Sequence, residues 1–152
     1  MTSNRDSGPE SRDEQAVSRW NRRDVMTAGG ALAALSAIAP SIGTAQAASL
    51  ARQPLHMAVV DTRFAPARTF AAQMKRSGLR VAPINGDITE LWYDELDGLW
   101  RRQPAAIAGF TADSALFCLE RLAMDRGLRV AFQRELTKPL VHWVIAPKEA
   151  VP

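Results

Sequence analysis

After Leu55 the chain alternates two kinds of apolar pattern, and that alternation limits the possible folds more than any other feature. Short continuous apolar runs occupy residues 55–60, 79–84, 105–110, 128–132 and 140–145. Runs of this length, bounded by polar residues, predict strands, the first of them buried. Between the first four lie segments with helical spacing. Ala67, Phe70, Ala71 and Met74 fall at i, i+3, i+4 and i+7, with Pro66 in the first turn and Gly78 as a left-handed stop. After the turn Asn85-Gly86-Asp87, residues 89–102 place Trp92, Leu96, Leu99 and Trp100 on one face, opposite Glu90, Asp94, Glu95 and Asp97. Gly98 inside that helix costs about 1 kcal/mol relative to Ala, and Gln103-Pro104 breaks it. A third helix is expected from a Thr111 N-cap to Arg126, ended by Gly127. Lys138-Pro139 then turns the fourth strand into the fifth, as a terminal antiparallel hairpin.

This order predicts an α/β fold with right-handed crossovers. The expected form is a small three-layer sandwich: a mostly parallel sheet in the order 2-1-3-4-5, helices on both faces, and a C-terminal hairpin strand. Pro83, which lacks a donor, puts the second strand at a sheet edge.

The composition changes at residue 47. Residues 1–18 are polar, with too few large apolar groups to offset the entropy of ordering, and read as a disordered leader. Residues 19–47 contain Arg22-Arg23, then Val25-Met26, a weakly apolar Ala/Gly/Leu run to Ala39, Pro40, and the small-x-small sequence Ala45-Gln46-Ala47. Charged, apolar and small-residue regions in that order make a signal peptide. The adjacent arginines, the long polar start and Gly29-Gly30 in the apolar run make it resemble the twin-arginine type. The resemblance implies recognition by the twin-arginine translocation machinery, cleavage after Ala47, a periplasmic or secreted destination, and transport of cargo that is already folded. Residues 25–39 fall short of the roughly 18 apolar residues needed to cross a bilayer, so no stable membrane span is expected.

Residues 48–152 then form a single α/β domain. It carries 14 Lys and Arg against 11 Asp and Glu, a net charge of +3. The basic pairs Lys75-Arg76 and Arg101-Arg102 are dispersed and not interleaved with aromatics, which argues against nucleic acid as a partner. Cys118 is the only cysteine. No intramolecular disulfide is possible, and the apolar surroundings of Cys118 predict a buried, inert thiol.

In a sheet of this kind ligands bind beyond the carboxyl ends of the strands, where strand order reverses. Asp61, Thr62 and Arg63 follow the first strand, Asn85 and Asp87 the second, and Thr111, Asp113 and Ser114 the third. Asp61 and Asp87 on adjacent strands suit a divalent cation or proton transfer if they converge. Arg63, with Thr111, Ser114 and the third helix N-terminus, suits an anion. The same residue types also serve plain structural roles: Asp and Asn make turns, and Thr caps helices. His56 and His142 lie inside strands without a second ligand at metal spacing, and read as packed or surface histidines. No phosphate-binding glycine pattern, Cys-x-x-Cys-His site or nucleophile elbow is present, so the sequence assigns no cofactor and no catalytic residue.

Ala115, Leu116, Phe117, Cys118 and Leu119 cannot all face one sheet. Trp143 of the hairpin, or Trp92 and Trp100 of the second helix, are expected to cover the outer ones. Leu116 and Phe117 are otherwise candidates for a protein partner or homodimer contact. Together these features favour an exported, non-catalytic accessory or ligand-binding domain, the companion of a larger enzyme exported by the same route. The alternative is a small extracytoplasmic enzyme that acts on an anionic substrate through Asp61, Asp87, Arg63 and Thr111, with a divalent metal.

Overall fold

The five apolar runs become the five strands of one sheet. The structure, a computed structural model, describes residues 53–150. The polar leader, the twin-arginine-like segment and its cleavage site lie outside the described residues. The strands are β1 (Leu55–Asp61), β2 (Val81–Ile84), β3 (Ala106–Ala112), β4 (Leu128–Glu135) and β5 (Leu140–Pro147). Helix α1 is Ala65–Arg76 and α3 is Asp113–Met124. Helix α2 runs through Thr89–Leu91, a π-helical turn at Trp92–Leu96, and Asp97–Arg102. No described helix is long and apolar enough to cross a membrane.

The strand order is β2-β1-β3-β5-β4, which corrects the expected 2-1-3-4-5. β1 pairs in parallel with β2 and β3, whereas β5 pairs antiparallel with both β3 and β4. The sheet is therefore mixed rather than mostly parallel. The hairpin forms as expected, but its second strand takes the inner place. Composition explains the choice. Every residue of β5 but the last is buried, while β4 ends in exposed Gln133, Arg134 and Glu135. An inner strand must be apolar on both faces, and an edge strand tolerates charge. The β3–α3–β4 crossover thus leaves a gap one strand wide, and β5 folds back into it. At the opposite edge β2 carries Pro83, as its missing donor requires.

Helices cover both faces. On one, α1 buries Ala67, Phe70 and Met74 over β1, β2 and β3. On the other, α2 and α3 bury Leu91, Leu96, Trp100, Leu116 and Leu119 against Met57, Val59, Ile107, Trp143 and Ile145. Burying each of the larger side chains contributes about 2 kcal/mol. The π turn has a direct cause. Leu91 and Leu96, five residues apart, both reach the core, and one extra residue in the turn keeps them on the same face.

Thr111 lies within β3 instead of capping α3, whose N-cap is Ala112. The first helical donors are satisfied otherwise: Asp113 N–H donates to Pro139 O at 2.8 Å and Ser114 N–H to Asp113 Oδ1 at 2.7 Å. Thr111 is buried because its hydroxyl accepts the Trp143 indole N–H at 3.0 Å. The indole also lies on Gly109, where an added Cβ would fall 2.0 Å from a ring carbon. Gly109 opposes Trp143 in register, so the absence of a side chain on β3 makes room for the largest side chain on β5.

Two glycine substitutions separate this close contact from ordinary helix propensity. Gly109→Ala should destabilise by about 3 kcal/mol through overpacking against Trp143. Gly98→Ala, where the nearest neighbour of a new Cβ is the flexible Arg102 at 3.5 Å, should stabilise by about 0.5–1 kcal/mol. Urea denaturation of the two variants measures both.

Candidate functional site

The carboxyl ends of β1 and β2 bring some of the expected residues together. Asp61 is buried at the end of β1. Its Oδ1 accepts from the Arg63 backbone N–H at 3.2 Å and Nε at 2.9 Å, and its Oδ2 from Arg63 Nη2 at 2.7 Å. Burial pushes the carboxyl up, but the bonds from Arg63 and the Ala112 backbone outweigh it and hold the pKa below the usual carboxylate value. The Arg63 guanidinium then reaches the β2–α2 turn, where it lies against Gly86, a residue at φ +83°. Thr62 ties the same two strands, its N–H and hydroxyl donating to Ile84 O at 2.9 and 3.1 Å.

Asp87 is engaged separately. Its Oδ1 accepts from Thr89 N–H at 2.8 Å and Thr89 Oγ1 at 2.6 Å, which fixes the start of α2 and lowers the Asp87 pKa. Thr62, Asn85, Asp87 and Glu90 border an open cleft of about 450 Å³ beside these bonds. No cluster of three or more metal-ligating side chains occurs among the described residues. Thr111 is committed to Trp143, and Ser114 stands exposed at the start of α3.

On α3 the helical period divides the apolar stretch. Ala115, Leu116, Leu119 and Ala123 are buried, so Leu116 belongs to the core and not to an outward surface. Phe117 is 56% exposed, with the Arg121 guanidinium over its ring at 5.2 Å. Cys118 is exposed, which corrects the expected burial: it shares the outer side of the helix with Phe117. Trp143 and Trp100 share one buried cluster with the inner residues of α3, and the outer Phe117 and Cys118 stay exposed, so the expected covering does not occur.

A second region was not singled out by the sequence. A pocket of about 300 Å³ opens between α1 and β5, walled by Pro66, Phe70 and Gln73 of α1, Phe110 of β3, Arg134 of β4 and His142 of β5. His142 is 4% exposed and sits among Phe70, Phe110 and Phe132 at ring separations of 4.9, 5.3 and 6.0 Å. Its Nε2 has no hydrogen-bond partner among the described residues. Burial, with the charge of Arg134 second, lowers its pKa to about 4, so the imidazole is neutral near pH 7. Arg134 is paired in register with His142 across the hairpin, is exposed, and makes no ion pair among the described residues. The available signal was the lone polar residue in an otherwise apolar strand: period-2 alternation puts His142 on the same face as Leu140 and Val144.

His56 lies at the other end of the sheet, exposed beside the Arg80–Glu95 ion pair. Partial burial and then Arg80 lower its pKa.

No protein-family model, curated protein or solved structure matches the chain. As the folded pKa of His142 is depressed from 6.5 to about 4, the unfolded chain takes up the proton first on acidification. The His142 contribution to stability should fall by about 3 kcal/mol between these two values and stay constant below, where protonation of carboxylates such as Asp61 takes over the loss. His142→Phe should flatten that part of the curve, as measured by urea midpoints from about pH 7 to about pH 4.

Proposed function

We propose that this chain is an exported, non-catalytic domain that binds a small ligand, and that it crosses the membrane folded as the companion of a larger exported enzyme. The observation that carries the reading is the state of the strand-end carboxylates. Asp61 is held by three donors from Arg63, and Asp87 holds the start of α2. A general base needs a lone pair directed at substrate, and a metal site needs convergent, uncommitted oxygens. Catalysis through Asp61 would require its carboxylate to leave Arg63. Binding requires no such change.

Export enters from the residues before Ala48. The pair Arg22-Arg23, the weakly apolar run and Ala45-Gln46-Ala47 resemble a twin-arginine signal. A core built by packing, with no disulfide available to a chain of one cysteine, suits folding before transport. No recognised cofactor motif accounts for the route, which is why a companion enzyme is the economical explanation.

Two measurements test the reading. Replacing Arg22 and Arg23 together by Lys should leave the protein in the cytoplasmic fraction, whereas Asp87→Asn should be exported normally; unchanged export of the Lys variant would contradict the assigned route. Native mass spectrometry of the protein recovered outside the cytoplasm should show a bound chain or small molecule in stoichiometric amount. A clean apo-monomer would contradict the accessory role.

A further inference from the structure

We infer that the pocket between α1 and β5 binds a small aromatic monocarboxylate, its carboxylate paired with Arg134 and its ring laid against Phe70 and Phe110. The inference rests on the ligand-binding reading above and names the ligand class for it.

Size sets the first limit. At about 300 Å³ the pocket stands at the lower end of the range for small-molecule sites, which suits a single-ring compound rather than a nucleotide or a peptide. The wall composition sets the second. Phe70 and Phe110, with ring centroids 5.4 Å apart, form an aromatic surface that Pro66 and Leu136 extend. An aromatic ring gains more on such a surface than a flexible polar chain of equal size.

Charge sets the third limit. Arg134 is the only charged residue in the wall, since His142 is neutral near pH 7. One planar guanidinium without an ion pair among the described residues matches one carboxylate in a two-bond geometry. A phosphate dianion would call for more than one cation, and an amine would be repelled. His142 adds the independent observation. It is only 4% exposed, forms part of the pocket wall, and leaves Nε2 without a hydrogen-bond partner among the described residues. Buried polar groups are nearly always paired, so an orphaned one beside a cavity points to a partner that arrives from outside the chain.

The hairpin supplies the geometry. Arg134 and His142 are opposite each other in the β4–β5 ladder, so a carboxylate on Arg134 comes close to the imidazole, and the substituent it carries lies toward Phe110 and Phe70.

Calorimetric titration of the full-length protein with 3-phenylpropionate, 3-phenylpropionamide and 3-phenylpropylamine tests the assignment. The acid should bind one to one, about tenfold or more tighter than the amide, and the amine least of all. Arg134→Gln, at an exposed position, should keep the wild-type Tm and lose that tenfold advantage; Arg134→Lys should retain part of it. Equal binding of acid and amide, preference for the amine, or an unchanged Arg134→Gln variant would overturn the carboxylate class while leaving a binding domain in place. Failure of all three compounds to bind would overturn the assignment of this pocket. The native-mass measurement then reports separately on whether any ligand is carried.

Discussion

The contact between Trp143 and the bare backbone of Gly109 fixes the arrangement on which the rest of the structure depends. An indole can approach β3 this closely only where β3 has no side chain, and its N–H is buried with Thr111 as its acceptor. Both conditions hold in one register. They place β5 against β3, push the charged end of β4 to the sheet edge, and cover the inner side of α3 with the largest buried side chain in the core. The same register sets His142 beside Phe110 and under Phe70 on the opposite face. Strand order and pocket are two consequences of a single packing decision.

Electrostatics plays a smaller part in holding the fold. Arg80–Glu95 and Arg101–Asp97 are surface pairs and add little to stability. Arg126 adds a tie from the turn after α3 to Asp97 of α2 at 2.5 Å. Asp61–Arg63 differs because the carboxylate is buried while the guanidinium remains half exposed. That asymmetry makes Arg63 a structural counter-charge: its donors are directed at Asp61, and its far side rests on the Gly86 turn. At the α1–β5 pocket, by contrast, Arg134 makes no ion pair among the described residues.

Much of the architecture was legible in the sequence. Pro83 marked an edge strand, Gly78 and Gly127 marked helix ends with φ of +81° and +75°, and the apolar runs marked all five strands. Strand order was harder because proximity in the chain favours the sequential arrangement, and only a comparison of β4 with β5 reverses it. Leu140 to Ala146 is apolar on both faces apart from His142, whereas β4 turns polar at Gln133. Thr111 looked like a cap since Thr before a helix usually is one, yet its hydroxyl is needed by an indole 32 residues later. The five-residue step from Leu91 to Leu96 hid the π turn, because a uniform helical period has no place for it. His142 was visible but uninformative until the fold brought Phe70, Phe110 and Arg134 around it.

The central claim is that β5 is an inner strand locked to β3. Amide hydrogen exchange followed by NMR tests it most directly, since an inner strand is bonded on both edges and opens only with global unfolding. The account predicts that the amides of residues 141–146 exchange as slowly as those of β1 and β3, with β2 and the outward-facing amides of β4 much faster. Slow exchange throughout β4 with edge-like exchange in β5 would restore the order 2-1-3-4-5 and contradict it.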